Sequence, residues 1–142
     1  MSMDEHFYRE LILDHYKSPR HYGELENPDA FAEGQNPLCG DEQTVALRLR
    51  DGVVDDIRFH GQGCSISTAA TSLLSEVVVG KPVDEIARMG RDDMVELIGI
   101  PLSPVRLKCA LLGLGVMKVA LHRAVGTPLP EDWPGMDEIT WD

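Results

Sequence analysis

Three cysteines and one aspartate are the residues best suited to chemistry in this sequence: Cys39, Asp41, Cys64 and Cys109. The cysteines lie 25 and 45 residues apart, so a site that contains all three must be assembled by the fold. Gly40 would allow the loop to curl so that Cys39 and Asp41 face one centre. Three thiolates and one carboxylate make four ligands, which suits tetrahedral zinc or an iron–sulfur cluster. Buried inert cysteines and a cysteine nucleophile remain the alternatives.

The local setting differs between the three cysteines. Cys39 lies in a loop rich in glycine, proline and asparagine, where no hydrophobic core requires a cysteine. Cys64 directly precedes a predicted helix, whose free amides and positive dipole end favour a thiolate. Cys109 follows the cationic Lys108, although on its own it is better explained by burial on an apolar helix face. The five histidines show no ligand spacing to one another, so none is assigned to the site.

A β-hairpin is predicted between Cys39 and Cys64. Residues 45–49 and 53–60 alternate apolar and polar side chains, and Asp51-Gly52 between them is a strong turn signal. Their apolar face must be covered by other elements of the fold. Residues 21–37 show no clear period, which indicates a long loop or an irregular strand.

Five helices are predicted around this hairpin, at about residues 4–17, 65–79, 83–89, 92–98 and 104–124. Asp4 or Ser2 would cap the first helix; Ser103-Pro104 would begin the last, with Gly126 as its C-terminal cap. An apolar stripe on the last helix predicts one buried face, formed by Val105, Cys109, Leu112, Val116 and Val119. Helices packed on one face of a small antiparallel sheet define an α+β fold.

The composition is that of an ordinary globular domain, with 142 residues of which 43% are apolar and 26% charged. The net charge of -11 argues against nucleic acid as a partner. No run of about 18 apolar residues could span a membrane, and the first residues lack the basic and apolar regions of a signal peptide. A cytoplasmic location is therefore expected, where thiols stay reduced.

The chain is expected to divide at about residue 126. Residues 1–126 would form the domain, and residues 127–142 a proline-containing tail with five acidic residues and no lysine or arginine. This tail is predicted to be a solvated surface extension that contributes little to the fold or the site. Trp133 and Trp141 argue against that interpretation, because two tryptophans are unusual in a free tail.

Four motifs, in order within residues 4–125, resemble the U-type iron–sulfur cluster assembly scaffolds of the IscU, SufU and NifU N-terminal type. They are Leu13-Asp14-His15-Tyr16-Lys17-Ser18-Pro19-Arg20, Asn36-Pro37-Leu38-Cys39-Gly40-Asp41, Gly61-Gln62-Gly63-Cys64-Ser65-Ile66-Ser67 and Val105-Arg106-Leu107-Lys108-Cys109-Ala110. The resemblance implies the α+β fold of that family and a scaffold protein in place of an enzyme, with sulfurtransferase activity as a further expectation.

The resemblance also implies a ligand set. Cys39, Cys64 and Cys109 would hold a nascent cluster, expected to be of the 2Fe–2S type, or zinc in the isolated protein. Asp41 would be the fourth ligand or would keep the cluster labile, because a hard carboxylate is a weaker partner for iron–sulfur chemistry than a thiolate. Sulfur would arrive from a cysteine desulfurase, and a chaperone and recipient apo-proteins are further expected partners.

Lys108 stands where IscU-type members carry a histidine. An ammonium group has no lone pair for a metal, so Lys108 would support the site electrostatically, while Cys109 or Cys39 accepts sulfur as a persulfide. The residues Arg106–Cys109 are SufU-like, whereas Leu102–Arg106 is close to the IscU-type chaperone-binding stretch and the usual SufU insertion is missing. Cluster assembly, zinc-dependent sulfur relay and a structural zinc domain therefore remain open.

Overall fold

The computed structural model describes residues 3–36, 40–125 and 140–141. Within these ranges the chain forms five helices and four strands. In chain order they are α1 (Met3–Lys17), β1 (Ala30–Asn36), β2 (Asp41–Arg50), β3 (Val53–Gln62), α2 (Ser65–Val78), α3 (Val83–Arg88), α4 (Arg91–Ile98), α5 (Pro104–Val125) and β4 (Thr140–Trp141). The five predicted helices are all present, with ends within one or two residues of those expected.

The predicted hairpin forms the centre of the sheet. β2 and β3 pair antiparallel, with Val45 opposite Phe59 and Leu47 opposite Ile57. Asp51 and Gly52, at the turn, both have positive φ angles of 54° and 76°, as the tight turns that suit twisted strands require. The buried side chains of β2 alternate with more exposed ones, so the period of two in the sequence correctly placed one face of the sheet against the core.

Two strands extend this hairpin on the β2 side. The sheet order is β3-β2-β1-β4. β1 pairs antiparallel with β2 along its whole length, so the end of the segment predicted as a loop or irregular strand is a regular strand. β4 pairs with β1 at Gly34 and Gln35. Thr140 and Trp141 lie in the predicted tail, and their backbone extends the sheet; the expectation that the tail contributes little to the fold stays a prediction. Gly126, the predicted cap of the last helix, and Trp133 lie outside the described residues.

The helices pack against the sheet and enclose one hydrophobic core, which confirms the predicted α+β fold. The largest fully buried side chains come from both layers: Val45, Leu47, Val54, Ile57, Phe59, Leu74, Ile86, Met94, Ile98, Leu112, Met117 and Leu121. In the described part of the chain, no helix has the length and apolar character needed to cross a membrane.

The start of α5 departs from its predicted pattern. Cys109, Leu112, Val116 and Val119 are buried as expected, but Val105 is 51% exposed. Ser103 caps this helix as predicted, since its Oγ accepts a hydrogen bond from the Arg106 amide at 3.3 Å. The apolar periodicity of the sequence extends one turn further towards the N-terminus than the part of α5 that the sheet and α2 cover. The prediction that Val105 is buried was therefore wrong.

A close approach of α2 and α5 fixes the distance between these two helices. A Cβ atom at Gly113 would lie 2.2 Å from Oγ1 of Thr71, which no packed side chain tolerates. Gly113 therefore allows the backbone of α5 to pack directly against the Thr71 side chain of α2. Cys109 lies one turn before Gly113, and Cys64 lies directly before α2, so this contact also governs how far apart the two thiols stand.

Candidate metal centre

Three of the four predicted ligands converge in the structure. The ligand atoms of Asp41, Cys64 and Cys109 all lie within 4.8 Å of one another. Asp41 and Cys109 are only 1% and 2% exposed, whereas Cys64 is partly exposed. Cys39, the fourth predicted ligand, lies outside the described residues. A strand, a helix start and a second helix thus bring together residues that are far apart in the sequence.

Asp41 is the first residue of β2 and uses its two oxygens differently. Oδ1 accepts a hydrogen bond from the backbone amide of Cys64 at 3.0 Å. Oδ2 lies 4.0 Å from the Cys64 sulfur. One oxygen therefore anchors the carboxylate to the start of α2, while the other faces the Cys64 sulfur.

Cys64 is the N-cap residue of α2, with an extended backbone at φ -71° and ψ 172°. Its sulfur accepts a hydrogen bond from the Ser67 amide at 3.5 Å, in the manner of a capping side chain. The free amides and the dipole at a helix N-terminus favour negative charge. The expectation that Cys64 lies at the N-terminal end of a helix is confirmed.

Two glycines before Cys64 leave the space that this arrangement needs. A Cβ at Gly63 would stand 2.8 Å from Oδ1 of Asp41 and 3.1 Å from Oγ of Ser67. At Gly61, where φ is 146°, a Cβ would be 2.1 Å from the backbone oxygen of Glu42. Any side chain at Gly63 would displace the carboxylate, so the glycine is part of the site.

A buried amide supports the same helix start. Gln43, two residues after Asp41 on β2, is 2% exposed, and its Nε2 donates to Oγ of Ser67 at 3.1 Å. Sequence reasoning missed both residues, because a lone glutamine in an alternating strand looks like a surface position. The signal that was available is their place in the pattern: Gln43 falls in register with the apolar Val45 and Leu47.

Cys109 and Lys108 lie in the second turn of α5, as predicted. Cys109 is buried on the apolar face of the helix, and Lys108 is partly buried beside it in the chain. Cys109 is thus a core residue, and its buried sulfur also belongs to the ligand cluster.

The described histidines with buried contacts serve a different part of the fold. Nδ1 of His15 lies 2.7 Å from Oγ of Ser72, and its Nε2 lies 3.4 Å from Glu76. Nδ1 of His21 lies 3.0 Å from Oγ of Ser75. These contacts tie α1 and the segment after it to the second half of α2, away from Cys64 at its start. His15 and His21 therefore support the packing of α1 and of the segment after it, and neither belongs to the ligand cluster.

The donor set fits a thiophilic metal. Thiolates suit zinc and iron–sulfur clusters, and a carboxylate completes a four-coordinate site. Ligand atoms around tetrahedral zinc stand about 3.8 Å apart, given bonds of about 2.3 Å, and the three atoms here lie within 4.8 Å of one another. Asp41, Cys64 and Cys109 would therefore hold the metal after small side-chain rotations.

Comparison with known proteins agrees with this site. The model of the NifU-like N-terminal domain family matches residues 7–126, which is most of the chain. The chain belongs to this family. The match includes the regions of all four motifs that indicated the resemblance.

The similar proteins include one named as a sulfurtransferase and others named as cluster assembly scaffolds. The chain is 32% identical over 136 residues to the zinc-dependent sulfurtransferase SufU of Bacillus subtilis, covering 84% of this chain and 92% of that protein. It is 34% identical over 118 residues to the iron–sulfur cluster assembly scaffold protein IscU of Escherichia coli K12, covering 80% and 91%. The crystal structure of a NifU-like protein (N-terminal) from Brucella abortus superposes with a TM-score of 0.72 at 26% identity, covering 89% and 100%.

Proposed function

We propose that this protein is an iron–sulfur cluster assembly scaffold that accepts sulfur from a cysteine desulfurase. It would hold the nascent cluster, of the 2Fe–2S type, or zinc on Cys39, Asp41, Cys64 and Cys109. The observation that carries the proposal is the convergence of one carboxylate and two thiols within 4.8 Å, in a family whose relatives include proteins named as scaffolds. A chaperone, recipient apo-proteins and a cytoplasmic location belong to the same proposal.

Sulfur transfer to this protein would exchange one sulfur–sulfur bond for another. An acceptor thiolate attacks the outer sulfur of the desulfurase persulfide; a new S–S bond forms, the old one breaks, and the desulfurase thiolate leaves. Cys109 is 2% exposed, which hinders direct attack on a protein-bound persulfide. This burial argues against Cys109 as the first acceptor; in the proposal Cys39 is the other acceptor, and Cys109 would receive sulfur inside the site.

Zinc-dependent sulfur relay is the second candidate function. It is favoured by the similarity to a zinc-dependent sulfurtransferase and by Lys108 in place of a histidine ligand. Three thiolates and one carboxylate around Zn²⁺ leave a net charge of about -2, which a neighbouring ammonium partly offsets. In this function the metal would stay bound while sulfur passes through.

One experiment separates the two functions. The protein is incubated anaerobically with iron, cysteine and a cysteine desulfurase, and visible absorption and metal content are recorded. Loss of zinc with the appearance of a cluster spectrum supports the scaffold. Retained zinc with faster desulfurase turnover supports the relay. Absence of both effects, with Cys39→Ser and Cys109→Ser behaving as the wild type, would contradict both.

A further inference from the structure

Beside the metal centre, one buried acceptor lacks a hydrogen-bond donor within the part of the chain that the structure describes. Among the described residues, no hydrogen-bond partner reaches Oε1 of Gln43, although the side chain is almost fully buried. A buried polar atom without a partner destabilises a fold by about 1–3 kcal/mol. An apolar residue in register with Val45 and Leu47 would avoid this penalty, so the presence of glutamine here points to a role other than the stability of the fold.

The nitrogen of the same side-chain amide is connected to the ligands through hydrogen bonds of Ser67. Nε2 of Gln43 donates to Oγ of Ser67 at 3.1 Å, and the amide of Ser67 donates to the sulfur of Cys64 at 3.5 Å. The amide of Cys64 in turn donates to Asp41. Gln43 and Asp41 lie two residues apart and are buried on the same face of β2. The strand therefore holds the start of α2 at two points, one on each side of Cys64 Sγ.

We propose that Gln43 is a positioning residue of the metal centre, which acts through Ser67 to orient the Cys64 sulfur towards Asp41 and Cys109. The proposal rests on the proposed function only in that the site binds a metal. Residues that contact the metal ligands but not the metal itself change metal affinity by about 10–100-fold when they are removed. In this proposal Gln43 serves the geometry of the ligands at a cost to the stability of the fold.

Gln43→Met tests this directly, because methionine keeps the volume but loses both the donor and the unpaired oxygen. The probe is Zn²⁺, with its dissociation constant measured on the full chain by competition with a chromophoric chelator. We expect binding to weaken about tenfold, while the melting temperature of the metal-free protein changes little, because the removal of Oε1 offsets the loss of the donor to the buried Ser67 Oγ. Gln35→Met, at an exposed position of β1, is the matched control and should leave zinc binding unchanged.

Cobalt substitution adds a readout that stability does not move. The d–d and sulfur-to-Co²⁺ charge-transfer bands of Co²⁺ report ligand geometry, and Gln43→Met should shift them. Ser67→Ala should weaken zinc binding in the same direction. The double variant should bind no more weakly than the weaker single variant, because both changes break one chain of contacts.

The outcomes separate this proposal from the proposed function. If Gln43→Met keeps the wild-type zinc affinity and cobalt bands, Gln43 does not position the site and the proposal is overturned. A weaker affinity that comes with a lower melting temperature of the metal-free protein overturns it as well, since the effect then lies in the fold, and so do fully additive effects in the double variant. If the wild type itself binds no zinc or cobalt, the proposed function fails first and this inference with it.

Discussion

We propose different roles for Asp41 and Lys108 at the metal centre. Asp41 is buried with one oxygen directed at the thiols, whereas Lys108 can contribute only charge, because an ammonium has no lone pair. A ligand sets how tightly the metal is held. A nearby cation instead offsets the negative charge of the site and favours thiolate for sulfur attack.

Asp41→Ala and Lys108→Ala should therefore fail in different assays. We expect Asp41→Ala to weaken zinc binding about tenfold or more. Lys108→Ala should keep zinc but slow persulfide formation with a cysteine desulfurase several-fold, as followed by mass spectrometry of the trapped thiols. Lys81→Ala, which removes a lysine paired with Glu85 far along the chain from the site, controls for the loss of one positive charge. The assignment is wrong if Lys108→Ala releases the metal while Asp41→Ala retains it at full occupancy.

His15 makes the stability of the fold depend on pH. Burial lowers the pKa of His15, and the nearby Arg20 lowers it further, against the opposite effects of Glu76 and Asp14. Ser72 Oγ accepts the Arg20 amide at 2.8 Å, so its proton is available to Nδ1 of His15, which fits a neutral ring. The unfolded chain, with a histidine pKa of about 6.5, therefore binds a proton more readily than the folded one.

Stability from His15 should be complete above about pH 6.5 and should be lost as the pH falls through the lowered pKa of the folded state. Urea unfolding between pH 8 and pH 5 measures this dependence. His15→Asn keeps an acceptor for Ser72 and should reduce the slope by at most about one proton. His6→Asn, on the exposed face of the same helix, is the control for loss of an imidazole. An unchanged slope in His15→Asn would place the pH dependence elsewhere.

At the scale of elements, the central hairpin and the helices could be predicted, and β1 could not. β2 and β3 carry β-branched and large apolar residues at alternate positions, with a turn pair between them. The buried positions of β1 are Ala32, Gly34 and Asn36, which have no strand preference of their own. This strand is formed by its pairing with β2, a contact between segments that local pattern does not contain.

The candidate site, too, could be predicted from the sequence only in part. The motifs identified the ligand residues, because cysteine and aspartate in glycine-rich loops have few structural explanations. Gln43, Ser67 and the steric role of Gly63 were not identified. Their importance depends on distances across the start of α2, which only the assembled fold defines.

The packing of α5 on α2 controls the site at this scale. Gly113→Ala would place a methyl group against Thr71 and push apart the helices that carry Cys109 and Cys64. We expect a loss of about 1–3 kcal/mol in the free energy of unfolding, measured in urea, together with weaker zinc binding. Thr71→Gly/Gly113→Ala removes every side-chain atom of residue 71 that the new methyl group would meet and should recover part of both losses. A double variant that recovers neither would show that the contact does not set the helix spacing.

At the scale of the whole molecule, the acidic tail is the part whose role is least connected to the site. It carries five of the acidic residues and no compensating base, and its described part adds a two-residue strand to β1. We propose that residues 1–126 are sufficient for the site and that the tail only supports the edge of the sheet.

Truncation after Gly126 should leave zinc affinity unchanged and lower the free energy of unfolding by about 1 kcal/mol, since the described part of the tail, Thr140 and Trp141, contributes a short pairing with β1. Thr140→Pro in the full chain is the matched control: proline cannot donate to a neighbouring strand, so it disturbs β4 and keeps the charge of the tail. Loss of zinc on truncation would contradict this division of the chain.

The two-sided use of Asp41 also has a kinetic consequence. If Oδ2 held an ion, it could release that ion while Oδ1 stayed bonded to the Cys64 amide, so the carboxylate would already be in place for the next ion. Opening the fourth position would then require rotation within one side chain, with no rearrangement of β2 or α2. The rate at which the ion departs would depend chiefly on that rotation, whereas the equilibrium affinity would depend on the carboxylate and the thiolates together. A protein that must hold its cargo and then pass it on benefits from that separation.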